Sequence, residues 1–312
     1  MKILFCGLGS IGTRHIKNLS AELRRRGVDF QIDALRSSGR PLADGAAPLV
    51  TDSYASFDAL PGDYDIAYIT NPTSLHYETI RALAGRARDM FIEKPLVDSA
   101  DCEPDLLGLR PDGVYYVACP LRHKRIVRRM KELCAAQRPV AVRAICSSYL
   151  PDWRPGTDYR QCYSAKKTQG GGVPLDLIHE WDYLTWLLGF PREVRMFSGK
   201  RSSLDITSDD VAVYIADYGT TLLSLQLDYI GRVPARVCEL YFNDETVLCD
   251  VNAGTIAYKK SGKTESLPDE DFYAAETAYF LDCVQNRTRD TMNTVDNAYK
   301  VLRTAVSEGE IL

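Results

Sequence analysis

Three side chains in this sequence have the chemistry that proton transfer needs. Asp176 and His179 stand three residues apart in "QGGGVPLDLIHEWDYLTWLLG", directly after Gly170, Gly171 and Gly172, in a chain with only four histidines. Lys94 lies in "MFIEKPLV", between Glu93 and Pro95 at the end of an apolar run. An imidazole titrates near neutral pH and serves as acid or base. A lysine does the same once its charged form is disfavoured, for example beside a second positive charge. A carboxylate three positions before a histidine shares its face of a helix, where it can orient the ring, polarise it or bind a hydroxyl. On this reading the glycines let the chain come close to a cleft, and a helix predicted over 174–188 aims Asp176 and His179 into it. The plain alternative for Lys94 is a surface lysine.

What such groups would act beside is suggested by "KILFCGLGSIGTRHIKNL" at the start of the chain. An apolar run, Ile3 to Cys6, reads as a buried parallel strand. Gly7, Gly9 and Gly12 follow as G-x-G-x-x-G, and Ile11, His15, Ile16 and Leu19 then recur at helical spacing. Strand, glycines and helix together form a dinucleotide cradle: Gly7 for the tight turn, Gly9 for backbone approach to a pyrophosphate, Gly12 for helix–strand packing. Ser10 and Ile11 open the helix whose free N–H groups would face the phosphates. The competing reading is a glycine-rich turn without a ligand. The next strand, 30–35, ends in Arg36, Ser37 and Ser38 rather than in an acid, and Asp33 falls too early to sit at its tip. An acid there would bind a ribose 2′-hydroxyl, whereas Arg36 and the serines suit a 2′-phosphate; NADP is therefore expected ahead of NAD. A third apolar strand, 66–70, breaks at Asn71-Pro72, at the carboxyl end where ligands bind in open α/β sheets. His76, just beyond, either touches the cofactor or packs locally at a helix start. Glu93 and Lys94 end a fourth strand at the same carboxyl edge and are expected beside the cofactor, and 114–119 is a fifth.

From 139 onward the pattern changes to two-residue alternation. Strands are expected over 140–149, 211–217, 221–229, 236–242, 246–251 and 255–259, with turn signals "DYGT", "FNDE" and "VNAG". These predict a mostly antiparallel sheet with covering helices, and two amphipathic helices close the chain. The fold class is thus a doubly wound parallel sheet (residues 1–119) followed by an α+β domain (120–312), the last helix packing back on the first domain. Just before the glycines, "YLPDWRPGTDYRQCYSAKKTQ" sets Arg154, Arg160, Lys166 and Lys167 among Trp153, Tyr159 and Tyr163. A loop of this length is usually functional or disordered. Its bases and rings suit an anionic sugar; a solvated cover loop is the other reading. Arg122 is a further candidate for the substrate side.

Composition narrows the class. The 312 residues carry a net charge of −4, with 45% hydrophobic and 26% charged residues. No basic footprint for nucleic acid and no apolar run long enough for a membrane helix is present, and the N-terminal run is too short for a secretory signal. Nine scattered cysteines without a C-x-x-C pair suit a reducing cytoplasm, and no spacing suggests a metal site.

Taken together, G-L-G-S-I-G, T-N-P-T-S-L-H, E-K-P and G-G-x-x-x-D-x-x-H resemble the glucose–fructose oxidoreductase / inositol dehydrogenase / rhizopine-catabolism (Gfo/Idh/MocA) family over nearly the whole chain. The resemblance implies an NAD(P)-dependent oxidoreductase acting on sugars, cyclitols or their derivatives. It also implies that Lys94 contacts nicotinamide and substrate, with Asp176 and His179 supplied by the second domain, and a homodimer or homotetramer. The commoner family spacing is D-x-G-x-H; here it is D-L-I-H, a shortened form that resembles a subgroup associated with bacterial surface-sugar biosynthesis. A dinucleotide-sensing regulator without catalysis is the rival class, since a shared fold alone does not fix function.

Overall fold

In the computed structural model, which describes every residue except 38, 40, 269, 270, 307, 308, 311 and 312, the chain divides into two compact units. The first comprises Met1–Pro120 and Asp271–Tyr299, the second Leu121–Glu270 and Lys300–Leu312.

In the first unit, six parallel strands lie in the order β3-β2-β1-β4-β5-β6, the doubly wound arrangement. They are β1 (Lys2–Cys6), β2 (Gln31–Leu35), β3 (Asp52–Tyr54), β4 (Tyr64–Ile69), β5 (Ala87–Ile92) and β6 (Tyr115–Val117). One register row crosses four strands as Phe5, Tyr68, Phe91 and Tyr116. Phe5 stacks on Tyr68 with centroids 4.6 Å apart, and Tyr68 on Phe91 at 4.8 Å. Helix α1 (Ser10–Arg25) follows β1, and its buried stripe of Ile16, Leu19 and Leu23 joins this core. Helix α2 (His76–Leu83) follows β4.

The second unit begins with α3 (Arg125–Ala136) and β7 (Ala141–Tyr149). Two short helices follow a long loop: α4 (Val173–Asp176) and α5 (His179–Leu188). The expected single helix over 174–188 is therefore interrupted. Ile178 and Glu180 donate to carbonyls three residues back, those of Leu175 and Leu177, so the chain tightens just where Asp176 ends and His179 begins. Next come β8 (Glu193–Gly199), β9 (Val211–Asp217), β10 (Leu222–Asp228), β11 (Ile230–Tyr241), β12 (Thr246–Asp250), β13 (Thr255–Tyr258) and β14 (Thr264–Ser266). The chain then forms α6 (Phe272–Asn286) and α7 (Val295–Val306), and ends in β15 (Gly309–Glu310). The sheet runs β14-β13-β12-β11-β7-β10-β9-β8-β15. Its pairings are antiparallel except β7 with β10. Trp181 of α5, fully buried, meets Tyr214 of β9 edge-on at 5.2 Å.

Helix α6 belongs to the first unit, where Phe280 packs edge-on against Tyr68 and Phe91. Asp271 caps it, accepting from the amides of Tyr273 and Ala274. Helix α7 starts in the first unit and continues into the second at Lys300. Among the described residues no helix is long and apolar enough to cross a membrane.

Candidate active site

The glycine loop is shaped by contacts that exclude side chains. Gly7 has φ +88°, and a Cβ there would lie 2.7 Å from the Asn71 Cα. A Cβ on Gly12 would lie 2.6 Å from the Gly7 carbonyl oxygen and 2.9 Å from Thr70 Oγ1. The Thr70 hydroxyl donates to that same carbonyl at 2.6 Å, tying the β4 loop to the glycine turn. Gly9 differs: a Cβ there would meet nothing within 4 Å. It faces open space at the head of α1, whose first turn carries neither an acid nor a side-chain cap. A backbone kept bare without steric need inside the protein fits close approach of a phosphate.

A cavity of about 790 Å³ opens there, lined by Gly7, Gly9 and Ser10 on one side, Asn71 and Pro72 on another, and Arg36 with Ser37 at the β2 end. These residues can hold a dinucleotide. Ser38 lies outside the described residues. Asp33 is fully buried and accepts from Tyr64 and Gln31 at 3.0 and 3.2 Å, so no carboxylate from β2 lines the cavity. Ile11 and Gly12 pack in α1 and are absent from its lining.

His76, read as either a cofactor contact or a locally packed residue, and Glu93 are both engaged within the protein. His76 is buried; its Nδ1 lies 3.0 Å from the Pro95 carbonyl oxygen and 3.2 Å from that of Leu96, and its Nε2 lies 3.0 Å from the Asn71 carbonyl oxygen. Burial holds this imidazole below its ordinary pKa, against the pull of those carbonyls. Glu93 is 7% exposed. One of its oxygens lies 2.5 Å from His15 Nε2 and the other accepts the Lys94 amide at 3.1 Å. Burial pushes the carboxyl upward, but His15 and the Lys94 charge outweigh it and hold it below its ordinary value. Lys94 itself is half-buried, at the carboxyl end of β5.

In the second unit, Asp176 is 6% exposed and accepts from the Tyr229 hydroxyl at 2.5 Å. Tyr163 also bonds this carboxylate, and burial followed by the Asp176 charge raises the phenol pKa of both tyrosines. No local pattern marks this trio, since Tyr229 lies 53 residues from Asp176. Gly171 makes it feasible: a Cβ there would sit 2.2 Å from the Tyr163 carbonyl oxygen. That glycine serves the packing of the 163–164 turn, which is a different task from the approach to a cleft expected above. His179 opens α5, half-buried.

The basic loop is tethered. Trp153 donates to Ser148 Oγ at 2.9 Å and meets Tyr229 edge-on. Arg160 forks onto Asp158 and Lys167 lies 3.7 Å from Asp209, so two of its four cations are offset by carboxylates. Arg154 is exposed and lies over the Tyr163 ring at 5.7 Å. Arg122 corrects the expectation of a substrate contact. It is 2% exposed, and its Nε and Nη2 donate to the two Asp182 carboxylate oxygens at 3.0 and 2.7 Å. A buried fork of this kind fixes α5, and a cation so committed is not presented to a ligand.

A doubly wound sheet with a bare glycine loop over a large cavity defines a dinucleotide-binding protein. Comparison with known proteins is consistent with this. Residues 1–105 match the model described as "Oxidoreductase family, NAD-binding Rossmann fold", and residues 127–243 match the GFO/IDH/MocA C-terminal domain. The chain belongs to the Gfo/Idh/MocA family of oxidoreductases. It is 23% identical over 291 residues to a UDP-N-acetylglucosamine 3-dehydrogenase of Acidithiobacillus ferrooxidans, covering 89% of this chain and 87% of that one. It is 24% identical over 204 residues to inositol 2-dehydrogenase 2 of Paenarthrobacter aurescens, covering 63% and 58%. The solved structure of a levoglucosan dehydrogenase with NADH and levoglucosan superposes with a TM-score of 0.82 at 15% identity, over 98% of this chain and 95% of that one.

The glycine geometry yields a prediction. Gly9→Ala should leave the unfolding midpoint close to that of the parent, because nothing in the protein meets the added methyl. It should weaken NADH binding by about tenfold or more, as 1.4 kcal/mol of lost phosphate contact suffices for that. Fluorescence titration of NADH, alongside thermal melting, checks both parts.

Proposed function

We propose that this protein is an NAD(P)-dependent dehydrogenase or reductase acting on a secondary hydroxyl, or the matching ketone, of a sugar or sugar derivative. Lys94 and His179 serve as its acid–base groups. The observation that carries the reading is the glycine cradle over its cavity, with a lysine at the carboxyl end of a neighbouring strand. A bound nicotinamide dinucleotide supplies the hydride acceptor or donor. The protein's part is to bind and orient and to move the proton that accompanies the hydride. Lys94 takes or gives the proton of the reacting hydroxyl. Its half-buried setting lowers the water competing for that oxygen. His179 is the second proton-handling group, and Asp176, spent on two tyrosine hydroxyls, fixes the turn from which His179 emerges.

The relatives named for UDP-N-acetylglucosamine, inositol and levoglucosan support a polyol or sugar substrate, and Arg154 over Tyr163 suits one bearing phosphate or carboxylate. Turnover should be found in a panel of UDP-N-acetylglucosamine, inositol and levoglucosan, each with NAD and NADP. Lys94→Met should cut turnover by about 10²–10⁴, the usual worth of a general acid–base group, while NADH still binds. His179→Ala should do the same, and Asp176→Asn should cost less. Near-full rates in both Lys94→Met and His179→Ala would remove the assignment.

Arg36, with Ser37, is proposed to bind a 2′-phosphate and to favour NADP. A charge-assisted contact is worth about 1.5–3 kcal/mol, so NADPH should bind roughly 10- to 100-fold more tightly than NADH. Arg36→Asp should reverse the order. Equal affinities in the parent protein refute it.

Self-association is proposed through the outer face of the second sheet. Phe197 (79% exposed), Ile215 (51%) and Leu222 (58%) project there from adjacent strands, and contiguous apolar surface of this kind marks interfaces. Sedimentation should give a dimer or tetramer, and Phe197→Asp with Ile215→Asp should yield monomers.

A further inference from the structure

The turn that carries Lys94 is held from both sides by histidines. On the amino side, the Lys94 amide donates to Glu93 Oε2 at 3.1 Å, and Glu93 Oε1 lies 2.5 Å from His15 Nε2. On the carboxyl side, the carbonyls of Pro95 and Leu96 lie 3.0 and 3.2 Å from His76 Nδ1. The His15 ring is fully buried, packed 4.7 Å from Phe91 and 6.0 Å from Tyr273. Its Nδ1 has no hydrogen-bond partner among the described residues. His15 also sits on α1, three residues after Gly12, so one rigid element carries both the phosphate cradle and the support of the Lys94 turn.

Stability alone does not explain the His15–Glu93 contact. Replacing both partners of a buried hydrogen bond by apolar groups of the same shape can be nearly neutral for stability, and His15 already lies among aromatic rings. A carboxylate with both oxygens committed does something apolar packing cannot: it fixes the direction of the amide it accepts from. We propose that His15 is a positioning residue. Through Glu93 it sets the backbone of Lys94, and so the place of the Lys94 amine relative to the dinucleotide that α1 holds. The inference rests on the assignment of Lys94 as a proton-handling group.

The test compares the parent enzyme with His15→Leu, His15→Gln and Glu93→Gln, each saturated with NAD. His15→Leu keeps apolar volume and removes the donor; His15→Gln restores an N–H close to the Nε2 position. Competitive acetylation with acetic anhydride, read peptide by peptide by mass spectrometry, reports the reactivity of Lys94 against every other lysine without requiring turnover. Lys94 labelling should change several-fold in His15→Leu and in Glu93→Gln, return towards the parent in His15→Gln, and stay constant at the other lysines. Turnover in His15→Leu should fall by about 10- to 100-fold, the scale expected when a reacting group is misplaced by around 1 Å, with the KM for NAD little altered. In a Lys94→Met background the same change should cost nothing further. Parent-like Lys94 labelling in His15→Leu overturns the inference, as does a full multiplicative loss in the double variant. Should His15→Leu not fold, parent-like labelling in Glu93→Gln overturns it equally. Undiminished turnover of Lys94→Met removes the catalytic role of Lys94, whereas the labelling still decides whether His15 positions it.

Discussion

The carbonyl oxygen of Gly7 is the point on which the first unit is organised. It accepts the Thr70 hydroxyl, and it lies so close to Gly12 that no side chain fits there. These two constraints bring together the ends of β1 and β4 and the head of α1. The cavity opens beside those three backbones, at the carboxyl edge of the sheet. The aromatic row of Phe5, Tyr68 and Phe91 joins β1 and β4 to their neighbour β5. Its contribution is broad burial, while the Gly7 carbonyl supplies the register of the loops.

The second unit is organised around a buried carboxylate in a comparable way. Asp176 takes hydroxyl donors from Tyr163 in the basic loop and from Tyr229 between β10 and β11. Removing a charge from water costs several kcal/mol unless its oxygens are satisfied, so the two tyrosines are drawn to one place. Loop, sheet and the end of α4 therefore meet at one side chain. The fork of Arg122 on Asp182 holds the helix that follows, α5.

Much of this was legible in the sequence because it is local. Apolar runs, glycine spacing and helical periodicity placed β1, α1, β4 and β5, and two-residue alternation placed β9 within its observed bounds. Strand β8 was not foreseen, since only Val194 in "EVRMFSG" is fully buried and the alternation never develops. The break before His179 was also hidden, and Asp176 beside it is bonded by tyrosines distant in the sequence. The roles of His15 and Glu93 depend on a contact across 78 positions, and the burial of Arg122 on one across 60. Side-chain type sets what a residue can do; partners far along the chain decide what it does. That is why Arg122, His76 and Glu93 read as ligand contacts from sequence and are committed to protein groups in the structure.

The return of α6 to the first unit has a consequence for how the chain is made. Phe280, Leu281, Cys283 and Val284 share a core with Ile3, Phe5 and Ile16, so an early segment of the first unit depends on one synthesised much later. While the chain emerges from a ribosome, residues 1–120 are synthesised without the helix that completes their core. The intervening residues 121–270 are synthesised before the covering helix arrives. During that interval one aromatic face of the parallel sheet stays open to water, and a nascent chain with such a face is a natural client for a chaperone.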